Sequence, residues 1–355
     1  DNSLLSLMRL IGIDCQIPTN KISNEDIIEM VKFYSQPYFK GGLQKLETII
    51  RRFLKLTGSN TRFWRAKKER PVDLLNQAVN RALRMAGIEK KEINFVIYSS
   101  IDRGFIEPSN ASFLCHTLGM DNVRCFDIVD ACMGWSSAVQ TAHAFFRADE
   151  SLDYIMLLNA EFPMDKKGTI LPDNFTIKEA KELDWKSPSF TLGEAASACI
   201  FQRDNLIAPQ FFFIENSEYA SLCSIPLMNF EKYLIDPDQI MQGEMQFYAD
   251  GATLLEKGMQ SSCDVLMELL RKLDYTPSVI FPHSVSEKII QQAFLNMNLN
   301  LKPYSTFLEL GNVATTSIPS AIVKTLLNGQ IKKGDRCIAW VASAGMKFSA
   351  IEVCL

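Results

Sequence analysis

The chain has 355 residues, of which 47% are hydrophobic and 22% are charged, and its formal net charge is −4. This composition is typical of a globular protein with a large core, and the length indicates two domains or two fused halves. A small negative net charge gives no reason to expect a nucleic acid or an anionic membrane surface as a partner.

The cysteines and histidines exclude some classes of site. The 9 Cys residues are scattered without a CxxC pair, and there are only 3 His residues. This pattern indicates reduced thiols and argues against a zinc site or another metal site. The first residues lack a signal-peptide pattern, and no stretch is apolar and long enough to span a bilayer. We therefore expect a cytoplasmic protein.

In the first half of the chain, strand-like and helix-like segments alternate. A strand over residues 6–16 precedes a helix over 24–34, for which Ser23 is the N-cap and Asp26 completes a capping-box pattern. The charged segment 162–188 is predicted to be a surface loop with one short helical turn. Helices are also predicted over 43–56, 72–85, 110–118 and 134–148, and strands over 93–100, 123–129, 152–161 and 190–202.

The second half has a similar order of segments. Strands are predicted over 210–215, 278–282 and 307–310, helices over 254–273, 284–297 and 316–328, and a closing hairpin over 336–342 and 347–353. Alternating strands and helices indicate an α/β fold with parallel pairing. We expect a duplicated α/β unit with halves at residues 1–205 and 206–355.

The segment around Cys132 carries the first candidate for chemistry. An apolar run ends at Asp130, and Cys132 lies in the turn before the helix that begins near Gly134. Unpaired N–H groups and the helix dipole favour negative charge at a helix N-terminus, so we expect this thiol to ionise more readily than usual. The alternative is a buried structural cysteine, which is the common case for free cysteines.

Two further strand ends carry polar side chains. His283 follows the strand 278–282, and Asn312 follows the predicted strand 307–310. Since ligands gather at the carboxyl ends of parallel strands, these side chains are expected to meet Cys132. A thiolate can form an acyl-enzyme from a thioester, while a neutral imidazole and an amide can donate to an enolate. The backbone N–H groups of Cys132 and Ala344 are candidates for an oxyanion site. Taken singly, His283 is more typical of a satisfied core residue and Gly311-Asn312 of a turn.

With these motifs in order, the sequence resembles the thiolase superfamily and most closely the β-ketoacyl-acyl-carrier-protein synthase III family. The resemblance runs from about Leu10 to the end of the chain. Its landmarks are Thr57-Gly58 with Arg62, Ala86-Gly87-Ile88, Asp127 with Asp130 to Gly134, Leu192 to Ala196, Pro282-His283, Gly311-Asn312 with Ser317-Ile318-Pro319, and Ala344-Gly345.

The resemblance implies a five-layer αβαβα fold of two similar halves and a homodimer. It also implies decarboxylative Claisen condensation in fatty-acid-like or secondary-metabolite biosynthesis, with acyl-coenzyme A and a malonyl-acyl-carrier protein as partners and no tightly bound cofactor. Cys132 would accept the acyl group. His283 and Asn312 would stabilise the enolate left by carbon dioxide, and the carbanion would attack the acyl-cysteine.

Several residues depart from the family pattern. After His283, Ser286 replaces an Asn and Lys288 replaces an Arg that is associated with carrier docking. Arg52 stands where family members grip adenine with a Trp. Together with Arg62, these residues are our candidates for binding the substrate, coenzyme A or the carrier. The basic face around Arg52 is equally a pattern of a solvated helix. The departures predict a specialised member that loads an unusual acyl group.

Two other functions remain open at this stage. In the first, the acyl group on Cys132 passes to an oxygen or nitrogen nucleophile, with His283 as general base. Alternatively, the chain is a non-catalytic partner subunit of a ketosynthase complex, because a fold does not fix a function.

Overall fold

The computed structural model describes residues 7–204 and 208–355 as alternating strands and helices. The strands are β1 (Leu7–Gln16), β2 (Asn20–Ser23), β3 (Thr61–Trp64), β4 (Phe95–Ser99), β5 (Arg124–Ile128), β6 (Tyr154–Glu161), β7 (Ala195–Asp204), β8 (Phe211–Glu215), β9 (Cys223–Ser224), β10 (Tyr248–Ala249), β11 (Ile280–Pro282), β12 (Arg336–Ser343) and β13 (Lys347–Cys354). The helices are α1 (Asn24–Ser35), α2 (Leu43–Thr57), α3 (Pro71–Ala86), α4 (Asn110–Thr117), α5 (Gly134–Ala148), α6 (Leu183–Lys186), α7 (Gly251–Lys272), α8 (Glu287–Asn296), α9 (Phe307–Leu310) and α10 (Ser317–Leu327).

Two larger sheets carry the fold. The N-terminal sheet has the order β1-β7-β6-β4-β5, and the C-terminal sheet has the order β11-β12-β13-β8. From β1, the pairings of the first sheet run antiparallel, antiparallel, parallel and parallel. From β8, those of the second run antiparallel, antiparallel and parallel. Beyond β11, a single parallel bridge joins Ile280 and Pro303.

The buried side chains show how the layers stack. Helices α5 and α10 lie between the sheets, where Trp135 and Ile322 share one apolar core with residues of both sheets. Helices α3 and α4 cover the outer face of the N-terminal sheet. Helices α7 and α8 cover the outer face of the C-terminal sheet, where Leu266 and Ile290 pack in a core with Trp340. The order is therefore α, β, α, β, α, which confirms the predicted fold class.

Most predicted elements are confirmed within a few residues. Ser23 caps α1 through a complete capping box with Asp26, and Pro71 begins α3. The loop 162–188 contains more helical turns than expected, because α6 and 3-10 turns over 173–175, 180–182 and 187–191 lie in or across it. Position 6 of the first predicted strand and the proposed boundary at residues 205 and 206 lie outside the described residues.

The predicted strand 307–310 is wrong, because this segment is the short helix α9. The N–H groups of Glu309 and Leu310 donate to the carbonyl of Thr306. Phe307 and Leu310 are both buried, and a spacing of three places them on one helical face. A four-residue segment with three apolar residues, Phe-Leu-Glu-Leu, is too short to distinguish a strand from a helical turn.

No helix in the described ranges 7–204 and 208–355 is long and apolar enough to cross a membrane.

Candidate active site

Cys132 lies in a 3-10 turn between β5 and α5, and both sheets hold this turn. A side chain at Gly134 would clash with the hydroxyl of Ser99 at the end of β4. On the other side, the N–H of Met133 donates to Oγ of Ser343 at 3.0 Å. Close packing of Gly134 on β4 and the hydrogen bond from Met133 to β12 therefore fix the backbone that follows the cysteine.

A cavity of about 760 Å³ has Cys132, His283 and Asn312 in its wall. Ala344, at the turn of the closing hairpin, also lines it. The volume lies in the range of about 300 to 1,000 Å³ that is usual for small-molecule sites. Much of the remaining wall is apolar, with Phe53, Ile170, Phe247, Leu254, Met259 and Phe348 among its residues. The three residues predicted to meet do line one cavity.

His283 follows β11 as predicted, and it is held at two points. The backbone N–H of His283 donates to the carbonyl of Trp340 at 2.8 Å. The Nδ1 atom of its imidazole lies 2.9 Å from Oγ of Ser317 at the start of α10. Burial lowers the pKa of His283 to about 4, so the imidazole is neutral near pH 7. A hydroxyl can donate or accept, so Ser317 is compatible with either neutral tautomer.

Asn312 comes from the turn after α9 and not from a strand end. The backbone N–H of Asn312 donates to the carbonyl of Thr191 at 2.8 Å, and its backbone carbonyl accepts from the N–H of Gly193 at 2.9 Å. The side-chain Oδ1 accepts from the N–H of Ala314 at 2.9 Å. Since the oxygen end of the amide is bound in this way, its NH₂ end is the group that can donate to a ligand.

The expectation that Cys132 ionises readily is wrong. Burial raises the pKa of Cys132 far above its ordinary value, and Cys223 and the charge of Glu161 raise it further. Burial disfavours the charged thiolate because it removes the thiolate from water, and this raises the pKa despite the nearby helix N-terminus. Cys132 is therefore a thiol at rest, and its proton must leave as the sulfur attacks.

The four predicted binding residues have different surroundings. Ser286 and Lys288 line the cavity; Ser286 is buried and Lys288 is exposed at its mouth. Arg52 is exposed on α2, next to the cavity residue Phe53. We correct the expectation for Arg62: this side chain is 0% exposed and binds protein groups, so its position supports a structural role.

The partners of Arg62 explain that role. Its guanidinium donates to Oδ1 of Asn24 and to Oγ of Ser59, each at 2.9 Å. These contacts tie β3 to the start of α1 and to the turn after α2. Burial lowers the pKa of Arg62 to about 10, so the guanidinium stays charged near pH 7.

Two cavity residues were missed by sequence reasoning. Glu161 and Asp102 both line the cavity, and burial raises their pKa values to about 8 and about 6. Their positions in the sequence could have indicated them, because Asp102 follows the apolar strand β4 and Glu161 ends the apolar strand β6, just as Cys132 follows β5. Among the described residues, no group of three or more His, Cys, Asp or Glu side chains is arranged to hold a metal ion.

Comparison with known proteins finds one matching family model and relatives that align with most of the chain. Residues 274–353 match the family model described as 3-oxoacyl-[acyl-carrier-protein (ACP)] synthase III C terminal. The chain is 22% identical to a β-ketoacyl-[acyl-carrier-protein] synthase III of Neisseria meningitidis serogroup B, over 97% of this chain and 98% of that protein. It is 25% identical to an acyl-CoA:acyl-CoA alkyltransferase of Xanthomonas campestris, over 79% of this chain and 81% of that protein.

Solved structures support the same fold. A variant of Xanthomonas campestris OleA superposes with a TM-score of 0.82 at 20% identity, over 100% of both chains. A 3-oxoacyl-(acyl carrier protein) synthase III of Xanthomonas oryzae gives a TM-score of 0.79 at 19% identity, over 99% of this chain and 100% of that one. The solved structures thus show the same fold, and the sequence relatives and the matched C-terminal model show that the chain is similar to β-ketoacyl-acyl-carrier-protein synthase III proteins.

Proposed function

We propose that this chain is an acyltransferase that forms a carbon–carbon bond by decarboxylative Claisen condensation. An acyl group bound to Cys132 would react with a malonyl or β-ketoacyl thioester. The observation that carries the proposal is that Cys132, His283 and Asn312 line one largely apolar cavity. The similarity to β-ketoacyl-[acyl-carrier-protein] synthase III proteins supports it, because their name describes a ketoacyl-forming enzyme.

The first half-reaction transfers the acyl group. The sulfur of Cys132 attacks the carbonyl carbon of an acyl thioester, and Nε2 of neutral His283 takes the thiol proton. The backbone N–H groups of Cys132 and Ala344 would bind the tetrahedral oxyanion. The proton then passes to the departing thiolate, which leaves as a free thiol.

The second half-reaction makes the new bond. A malonyl thioester loses carbon dioxide, and the enolate oxygen accepts hydrogen bonds from the amide of Asn312 and from Nε2–H of His283. Ser317 can donate to Nδ1 in the tautomer that this step requires. The carbanion attacks the acyl carbon, and the sulfur of Cys132 leaves as a thiolate.

The mouth of the cavity supports a thioester carried by coenzyme A or a carrier protein. Lys288 is an exposed cation of the cavity lining, and Arg52 is an exposed cation on α2, whose Phe53 lines the cavity; each can attract phosphate groups or acidic side chains. A Xanthomonas campestris OleA variant was solved with bound lauric acid and lauroyl-CoA. By analogy, we propose an aliphatic acyl-CoA as the donor. The homodimer and the cytoplasmic location stay predictions.

Two measurements test the proposal. The chain is incubated with a panel of acyl-CoA thioesters and its intact mass is recorded; acylation is expected in the native chain and not in Cys132→Ala. Addition of a malonyl thioester labelled in its free carboxyl group should then release labelled carbon dioxide. Acylation followed by transfer to an alcohol or amine without labelled carbon dioxide would support the acyl-transfer alternative. A Cys132 that reacts with no thioester would support the non-catalytic subunit.

A further inference from the structure

Asp102 and Glu161 form a reciprocal pair at the ends of two neighbouring strands. The carboxylate of Glu161, at the end of β6, accepts from the N–H groups of Ile101 at 3.2 Å and of Asp102 at 3.4 Å. In return, the carboxylate of Asp102 accepts from the N–H of Phe162 at 2.7 Å. The two carboxyl groups also act on each other, and the charge of Asp102 raises the pKa of Glu161. Because two neighbouring carboxylates repel each other, the state in which one of them is protonated is favoured.

The pair faces the cavity that holds the nucleophile. Both carboxyl residues line the cavity with Cys132, and the charge of Glu161 acts on the Cys132 thiol. Thr315, from the turn between Asn312 and α10, donates its hydroxyl to Glu161. Glu161 is 2% exposed as a residue, whereas Asp102 is half-buried and precedes the exposed stretch 103–108. One carboxyl group thus meets the cavity interior and the other lies nearer to solvent.

The proposed condensation requires a proton at the sulfur. The malonyl carboxylate leaves as neutral carbon dioxide, and the electron pair of the broken bond forms the new carbon–carbon bond. The bond between the acyl carbon and sulfur breaks with its electrons on sulfur, so the negative charge moves from the malonyl group to Cys132. The pKa of Cys132 lies far above the ordinary thiol value because of burial. A buried thiolate of this kind is costly, and one proton must arrive in each cycle.

We propose that Glu161, paired with Asp102, donates the proton that restores the Cys132 thiol after each condensation. The inference rests on the proposed decarboxylative function. The O–H bond of Glu161 breaks, the S–H bond of Cys132 forms, and the pair is left as two carboxylates. Asp102, on the side nearer to solvent, then takes a proton from the bulk solvent and passes it to Glu161, which restores the donor for the next cycle.

The ionisation of the pair agrees with this role. With pKa values near 8 for Glu161 and near 6 for Asp102, the pair carries one proton at pH 7. A thiolate whose conjugate acid has a much higher pKa takes that proton readily. The titratable and charged groups that face or act on the pair are Tyr98, Cys132, Asp165 and Glu194, with Arg65 bound to Asp165.

The test replaces Glu161 by glutamine, which keeps the shape and removes the proton. In Glu161→Gln, acylation of Cys132 by acyl-CoA, followed by intact mass, should stay at the native level. Condensation of the acylated enzyme with a malonyl thioester should slow by about 100-fold or more, the usual contribution of a general acid. In the native enzyme, this rate should fall as the pH rises through about 8, because the acid form of Glu161 disappears. This fall in rate at high pH, the alkaline limb of the pH profile, should be absent in Glu161→Gln.

Two further variants make the result specific. Asp102→Asn removes a charge that raises the pKa of Glu161, so the alkaline limb should move to lower pH. Glu194→Gln is the matched control, because Glu194 is also a buried carboxyl group that accepts from two backbone N–H groups. It is not among the described residues that line the cavity, and it acts on Asp102 but is not among the groups that shift the pKa of Glu161, so the fall in rate at high pH should stay in place.

Each outcome decides the inference. Native condensation rates with an unchanged alkaline limb in Glu161→Gln would overturn it, and so would an equal loss of acylation and condensation. If Glu161→Gln does not fold, Glu161→Asp and Asp102→Asn are used instead, and the pH above which the condensation rate falls is measured in each. If that pH is unchanged in Asp102→Asn, the inference is overturned. A native enzyme that acylates Cys132 but releases no carbon dioxide would instead overturn the proposed function.

Discussion

The two halves of this protein deliver their site residues from comparable sheet edges in different ways. Beside β4, the N-terminal sheet has a full strand, β5, in parallel register over 5 residue pairs, and Cys132 follows it. Beside β11, the C-terminal sheet has only the bridge between Ile280 and Pro303, and Asn312 follows a helical turn. We propose that the halves are versions of one α/β unit, because the remaining pairings occur in the same order.

This difference shows what positions each group. Cys132 follows the strand β5 of its own half, and the hydrogen bond from the N–H of Met133 to Ser343 also ties its turn to the other half. Asn312 lacks such a strand, and backbone groups of Thr191 and Gly193 from the other half hold it. The position of Asn312 therefore depends on the contact between the halves, whereas that of Cys132 depends on β5 as well. Four variants test this contrast, ordered from the largest expected effect to the smallest.

Removal of the Asn312 amide should have the largest effect. In Asn312→Ala, the condensation rate should fall by about 100- to 1,000-fold, as for the loss of one oxyanion donor, while acylation of Cys132 stays near the native rate. Asn216→Ala is the control, since Asn216 donates to Ser261 and is not among the described cavity residues. The rates are measured by product formation and intact mass. An equal loss of both half-reactions would contradict the assigned role.

Gly311→Ala should break the contact that positions the amide. Gly311 has φ +70° and ψ −160°, a region that is almost confined to glycine, and an added Cβ would clash with the carbonyl of Thr191. We expect a loss of about 3 kcal/mol or more in the free energy of unfolding, since strain and clash add. In Gly87→Ala, φ is +71° and no atom lies within 4 Å of the added Cβ, so about 1 kcal/mol is expected. Denaturant unfolding measures both, and equal losses would show that the contact with Thr191 is unimportant.

Gly258→Leu tests a cavity wall that belongs to the C-terminal half. Gly258 lies within α7 and lines the cavity, and an added Cβ would stand 3.1 Å from Cζ of Phe348 and 3.3 Å from Cε of Met346. A larger side chain should lower acylation by long-chain acyl-CoA about 10-fold and spare acetyl-CoA, because it fills the apolar space. Chain-length profiles from intact mass check this, with Gly243→Leu as the control, because Gly243 is outside the described cavity residues and an added Cβ there has room. An unchanged profile would place the acyl chain elsewhere.

Lys288→Ala should have the smallest effect, because Lys288 is exposed at the mouth. Exposed charge contacts contribute about 0.2 to 1 kcal/mol, so KM for the thioester carrier should rise by no more than about fivefold with kcat unchanged. The effect should shrink as salt is added. Lys272→Ala, at the end of α7, is the charge-matched control. A fall in kcat at saturating substrate would mean that Lys288 acts in the chemistry.

Local patterns in the sequence were enough for much of the fold and part of the site. Periodicity and caps predicted the alternation of strands and helices, including the capping box of α1 and the start of α3. The positions of Cys132 and His283 after apolar strands followed from the same patterns. Asn312 was predicted as a site residue, but the element before it was wrong, because a segment of four residues with three apolar side chains fits a strand and a helical turn equally well.

Other properties depend on residues that are distant in sequence. Arg62 was expected to contact a ligand, but Asn24 and Ser59 surround it in the fold. The helix N-terminus predicted an acidic Cys132, but burial among residues of both halves raises its pKa. The pairing of Asp102 with Glu161 arises because β4 and β6 are neighbours in one sheet. Residue identity and local pattern thus determine which groups are present and where strands and helices form, whereas desolvation, charge and the position of Asn312 depend on packing between distant segments.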